Sequence, residues 1–132
     1  MHEDDRGVIR DLLVTPNYSI THVTFKEGAI RGNHYHKKTV QYDFILGGEL
    51  QCYYDKNEVG KGDVVVTPGN SVTHAPGESH AYKALKESEI ISICFGVRKG
   101  EDYEKDTFRL EIPLVKWFRS LNQLLLTWKN IT

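Results

Sequence analysis

Polar and apolar residues take turns along the middle of this chain, the mark of strands with one face inside and the other outside. Residues 41–46 read Gln, Tyr, Asp, Phe, Ile, Leu. If Gln41 faces inward, Asp43 and Ile45 do too, and Tyr42, Phe44 and Leu46 face outward. Similar runs predict strands over residues 19–25, 41–46, 50–54, 63–67, 80–85 and 89–95, most of them bounded by Gly, Asn, Asp, Lys or Pro. Short strands at such intervals argue for an antiparallel barrel or sandwich rather than βαβ units. Ahead of the second run stand His34 and His36, which share a face on an extended segment while Tyr35 takes the other. The same rule carries Tyr82 inward with His80.

Beyond Phe95 the pattern changes. Residues 96–109 are charged and turn-rich and read as a loop leaving the barrel. Leu114, Phe118, Leu121, Leu125 and Trp128 then recur at helical spacing, with Pro113 suited to a first turn. This divides the chain into a barrel domain with an N-terminal arm, 1–112, and a C-terminal amphipathic helix, 113–132. The apolar stripe is expected to cap the barrel or meet a second subunit. Its polar face carries only Lys116, Arg119 and Lys129 as cations, thin for lipid binding.

Composition narrows the partners. A chain of 132 residues, 39% hydrophobic, is long enough for one domain with a real core. Seventeen basic against eighteen acidic residues give a net charge of −1, which favours neither nucleic acid nor an acidic membrane surface. A small-molecule ligand is the expected partner. No apolar run reaches spanning length and the N-terminal residues lack a signal peptide's apolar core, so the expected location is cytoplasmic. Cys52 and Cys94 are expected to be reduced and buried.

The histidine pair also sits in a longer spacing. Five residues separate Gly28 from His34, four separate His36 from Gln41, and six separate Gln41 from Gly48. This resembles the first motif of the cupin family, G(x)5HxH(x)3,4E(x)6G, with Gln41 where that family usually has glutamate. Pro76-Gly77-Glu78-Ser79-His80-Ala81-Tyr82 is similar to the family's PGxxHAF segment. The resemblance implies a small antiparallel β-barrel (a double-stranded β-helix or jelly roll), often dimeric, with His34, His36, Gln41 and His80 as metal ligands. Residues 68–75 form a longer connection than usual and hold His74, the runner-up third ligand. Three imidazoles suit a divalent Zn, Fe, Ni or Cu ion, with Mn also found in cupin-like sites. Replacing the family's carboxylate by an amide leaves the ion's charge uncancelled, so affinity should fall and Lewis acidity rise.

Arg31-Gly32-Asn33-His34-Tyr35-His36-Lys37-Lys38 with Gln41 is also similar to a segment of cupin-fold ketoisomerases that act on nucleotide-linked deoxy-sugars. Tyr103-Glu104-Lys105-Asp106 with Arg109 is similar to a segment near their end, which implies substrate contacts for Tyr103, Arg109 and Gln41. In that group a histidine pair moves protons between adjacent carbons without a metal. Such chemistry needs a base near neutral pKa and a group that stabilises an enediolate oxygen. His34 and His36 supply the base, with Asp43 or Tyr82 as orienter or second acid. The leading expectation is a metal-binding cupin that isomerises or epimerises a sugar derivative. The alternatives are oxidative chemistry at a transition metal and non-catalytic binding of a small ligand. Exposed Tyr42, Phe44 and Leu46, together with the helical stripe, point to a homodimer.

Overall fold

The computed structural model describes residues 1–96 and 105–116. Strands dominate: β1 (His2–Asp4), β2 (Gly7–Val14), β3 (Tyr18–Phe25), β4 (Ile30–Tyr35), β5 (Val40–Gly47), β6 (Leu50–Lys56), β7 (Gly60–Val66), β8 (Ser71–His74), β9 (Ser79–Ala84), β10 (Ser88–Phe95) and β11 (Phe108–Arg109). They form two antiparallel sheets, ordered β1-β2-β3-β10-β5-β8 and β11-β4-β9-β6-β7. The six strands expected from the alternation are all present, with ends shifted by a few residues at most.

The burial of β5 alternates as its sequence does. Gln41, Asp43 and Ile45 are buried while Tyr42, Phe44 and Leu46 are exposed. The interior is divided along the strands. Gln41, Asp43 and Ile45 pair in register with Cys94, Ser92 and Ile90 of β10, so both strands run from polar to apolar together. Ile45 and Ile90 join Phe25, Leu50, Cys52 and Val66 in the hydrophobic core. Gln41 and Asp43 stand at the other end, beside His74, which pairs with Gln41 on β8. One end of the barrel thus supplies stability through apolar burial, and the other is left for polar chemistry.

Three segments differ from the sequence expectation. Residues 68–75 do not form a plain insertion: they carry β8, which pairs along β5 and delivers His74 to the interior. The N-terminal arm is two strands, with β2 paired on β3. Residues 108–109 of the expected loop form β11, which pairs Phe108 with Tyr35 and Arg109 with His34. Most of the expected C-terminal helix lies outside the described residues. Its first positions, 113–116, trace bends, and the amides of Leu114 and Val115 donate to the Asn33 side chain. Cys52 and Cys94 are both buried.

The turn between β5 and β6 requires glycine. Gly48 has φ +84°, and a Cβ there would collide with Ser88 and the carbonyl of Glu87.

Candidate metal centre and its cavity

β4 reaches the interior through a bulge. Its register against β9 slips between Gly32 and His34, where Gly32 has φ +96° and Asn33 φ +57°. A Cβ on Gly32 would stand 2.8 Å from the carbonyl oxygen of His80, so the two strands approach too closely for any other residue. The extra residue changes which face each side chain takes. Arg31 and His34 are an odd number apart, yet both line the interior cavity.

His34 and His80 are then cross-strand partners, and His36 follows just past the end of β4. The ring centroids lie 5.0 Å apart for His34 and His36, 4.7 Å for His34 and His80, and 5.6 Å for His36 and His80. One nitrogen from each ring lies within 4.8 Å of the others, so the three could hold a metal ion. Burial first, then the neighbouring His36, Arg109 and His74, lowers the pKa of His34 to about 3, against a weaker opposite pull from Asp43. Burial followed by the other three imidazoles also holds His80 well below its ordinary value. Near neutral pH both rings are uncharged, the form that binds a metal.

Hydrogen bonding assigns the tautomer of His36 and exposes a conflict. Its Nδ1 lies 2.9 Å from the main-chain oxygen of Asp106, which only accepts, so Nδ1 carries the hydrogen. In the neutral ring Nε2 is then a bare lone pair. The Gln41 amide nitrogen donates to both oxygens of Asp43 at 3.0 Å, which turns Oε1 toward His36 Nε2, 3.2 Å away. Two acceptors therefore face each other. The opposite tautomer moves the clash to the Asp106 carbonyl, 2.9 Å from Nδ1, against a long contact from the Thr107 hydroxyl at 3.4 Å. A positive centre between them, a proton on Nε2 or a metal ion, resolves it. His80 adds an independent need: it is 1% exposed and, among the described residues, neither ring nitrogen has a hydrogen-bond partner of good geometry, the Glu78 main chain pulling only weakly on the ring. Leaving such a buried group unsatisfied costs about 1–3 kcal/mol. A proton on His36 does nothing for His80, whereas an ion shared by His34, His36 and His80 relieves the clash and also takes up one of the two His80 ring nitrogens. Three imidazole nitrogens and an amide oxygen fit a divalent transition ion.

Behind the histidines lies a second buried cluster. Asp43 accepts a hydrogen bond from the Tyr82 hydroxyl at 2.6 Å and lies 3.0 Å from His74 Nε2, which is also 2.7 Å from the Tyr82 oxygen. Burial alone would raise the pKa of Asp43, but its bonds to His74, Tyr82 and Ser92 prevail and lower it. Burial and then the Asp43 charge push Tyr82 well above 10. The His74 ring stacks on His80 with centroids 4.0 Å apart. His80 rather than His74 joins the histidine pair, and His74 is engaged with Asp43.

Asp106 was not singled out from the sequence for any role of its own. Its carboxylate accepts from the amides of Lys37, Lys38 and Thr39 and from the Thr39 hydroxyl, and so fixes the turn that follows His36. Burial would raise its pKa, but these donors outweigh that and lower it. Arg109 stands opposite His34 and donates weakly to the Gly32 carbonyl at 3.4 Å. Tyr103 lies outside the described residues.

His34, Gln41, His80 and Tyr82 open onto a cavity of about 300 Å³ whose wall also includes Arg31 and Arg109.

Comparison with solved structures finds the same fold in several proteins. A capsular polysaccharide assembling protein, CapF of Staphylococcus aureus, matches with a TM-score of 0.71 and 22% identity over 85% of this chain, which spans 32% of that one. KdgF of Halomonas sp. matches with a TM-score of 0.61 and 19% identity, over 70% of this chain and 80% of its own. Oxalate decarboxylase of Bacillus subtilis matches with a TM-score of 0.61 and 21% identity, over 89% of this chain and 29% of that one. This chain therefore spans only about a third of the CapF chain. No curated protein sequence matches it. A cupin domain model matches residues 21–94, more than half of the chain, and with the histidine-lined barrel just described this places the chain in the cupin domain family.

Proposed function

We propose that this chain is a metal-dependent cupin that isomerises or epimerises a sugar derivative, with His34, His36 and His80 binding the ion through nitrogen and Gln41 through its amide oxygen. The observation that carries the reading is the confrontation of His36 Nε2 with Gln41 Oε1 beside the unsatisfied ring of His80. A bound divalent ion would supply positive charge beside a substrate oxygen. Tyr82 lies on the cavity wall, with Asp43 and His74 hydrogen-bonded behind it. A proton accepted at the Tyr82 oxygen can leave as the hydroxyl's own proton to Asp43, which becomes neutral while His74 stays beside it, so this trio is the chain's route for moving a proton to and from the ligand. The carbohydrate part of the reading draws on the sequence likeness to sugar ketoisomerases and on the description of CapF as a capsular polysaccharide assembling protein. The proposed working form is a cytoplasmic homodimer of one barrel domain. Exposed Tyr42, Phe44 and Leu46 support the pairing.

A second reading has its own support, because a proton on His36 also relieves the clash with Gln41. In that case protonated His36 is the acid, His34 is the base and Gln41 holds a sugar oxygen, without a metal. Proton exchange separates the two. Keto- and aldo-sugars incubated in heavy water with metal-loaded protein should gain deuterium beside the carbonyl, as followed by NMR, and should not with stripped protein. Exchange that survives stripping favours the metal-free reading. Absence of exchange with either form across the panel rejects the isomerase.

A further inference from the structure

Arg31 is 8% exposed, yet among the described residues no carboxylate lies within ion-pair distance of its guanidinium. Nη2 donates to the Thr24 carbonyl at 3.2 Å, and the guanidinium carbon lies 5.5 Å from the centre of the Phe25 ring. Nε is buried and, among the described residues, has no hydrogen-bond partner. An unpaired buried charge is among the costliest arrangements a fold can keep, and structures ordinarily supply it with a counter-ion. Arg6, on the same cavity, has one in Asp4 at 2.6 Å. Asp11 also lines the cavity, but it accepts from the Thr21 hydroxyl and forms no ion pair with Arg31.

Position adds to charge. The bulge after Gly32 turns Arg31 onto the same cavity as His34, and Arg31 pairs across the sheet with Tyr82. Arg31 and His34 are three residues apart along β4, roughly 10 Å at about 3.3 Å per residue and less across the bulge. At about 300 Å³ the cavity is at the small end for ligand sites. A molecule that reaches both positions is of metabolite size.

We propose that Arg31 is the anion-binding residue of this cavity and that the ligand is a monosaccharide-sized acid, its anionic oxygens paired with the Arg31 guanidinium while its uncharged end meets the histidines. The proposal rests on the same cavity being the functional site. Arg109, exposed at the cavity, stands instead at the histidine end, opposite His34. A guanidinium fork suits either a carboxylate or a phosphate.

Calorimetric titration with glucose, glucuronate and glucose 6-phosphate tests this, on metal-loaded and stripped protein. At least one of the two acids should bind tenfold or more tightly than glucose; glucuronate ahead of the phosphate identifies a carboxylate site, and the reverse order a phosphate site. Arg31→Gln should lose at least tenfold in acid affinity and keep its metal content, with Arg31→Lys between the two. Because the comparison of acids with glucose uses wild-type protein, it stands even where a variant fails to fold. Equal binding of glucose, no binding of either acid, or undiminished acid affinity in a folded Arg31→Gln protein would each overturn the proposal. Metal content, measured separately, shows whether the metal reading fails with it: protein that takes up no metal but still prefers acids through Arg31 rejects only the former.

Discussion

The side-chain amide nitrogen of Gln41 lies 3.0 Å from each oxygen of Asp43. A glutamate at this position, the usual cupin residue, would set one carboxylate against another in a fully buried place. The sequence alone led to the expectation that Gln41→Glu tightens metal binding by adding charge beside the ion. The contact with Asp43 adds a condition: without metal, the variant must hold a proton between the two carboxylates or repel. Metal-free Gln41→Glu should therefore melt lower than wild type, by about 1–3 kcal/mol in stability. Above neutral pH it should bind a divalent ion on the order of tenfold more tightly, through Coulomb attraction in a partly dry site. Metal titrations and melting curves of both proteins check this, and unchanged affinity would argue against Gln41 as a ligand.

Acid should unfold the metal-stripped protein. The unfolded chain protonates His34 and His80 near pH 6.5, whereas the folded chain keeps His34 neutral down to about 3 and His80 neutral well below its ordinary value. Between those limits the unfolded state binds more protons, so stability is full above pH 6.5 and falls as the pH drops. With both histidines titrating only in the unfolded state, the slope approaches about 2.7 kcal/mol per pH unit. The lowered pKa values of Asp43 and Asp106 add losses in the same direction at lower pH. Urea unfolding at intervals from pH 7.5 to 5 measures the slope, and a flat profile there would contradict the neutral, buried state of the two rings.

Asp106 should matter more than its place in a charged segment suggests. Asp106→Ala removes the acceptor for three amides and the Thr39 hydroxyl. Hydrogen bonds to a charged acceptor contribute about 1.5–3 kcal/mol each in favourable cases, so a loss on the order of 3 kcal/mol is expected. Metal affinity should fall with it, because the turn that positions His36 loosens. Thermal melting with metal content provides the check; an unaltered melting temperature would show that the turn holds itself.

The outer face of β5 gives the assembly prediction. Tyr42 meets Phe95 edge to face at 5.8 Å, and both are exposed along with Phe44 and Leu46. A homodimer that covers this face should scatter light as twice the 15.1 kDa chain. Phe44→Asp, which puts a charge on that face without touching the interior, should reduce the mass to one subunit. Wild-type protein already at the single-chain mass would reject the dimer.

Much of this architecture is legible in the sequence, and the parts that are not have physical reasons. Strict alternation in β5 announces its buried and exposed faces because strand side chains repeat every two residues. Gly28, His34, His36, Gln41 and Gly48 carry enough spacing to give the family. Arg31 was hidden by the bulge: counted along an ideal strand it falls on the face opposite His34, and only Gly32-Asn33, a pair tolerant of positive φ, hints at the break. His74 stood out in the sequence only as a runner-up ligand, and its place beside Asp43 was hidden because β8 is four residues long and follows a turn, so its pairing with β5 depends on partners distant in sequence. Asp106 acts seventy residues from His36, and no local pattern reports such a contact.

The central claim is that His34, His36 and His80 bind one divalent ion with Gln41 beside it. X-ray anomalous scattering from a crystal of protein purified without chelator and recorded at the absorption edges of Mn, Fe, Ni, Cu and Zn tests it most directly. The account predicts one strong peak per chain, bonded to a nitrogen of each of the three rings and close to Gln41 Oε1. Well-ordered histidines with no peak at any edge, or a peak bonded to His74 in place of His80, would contradict it.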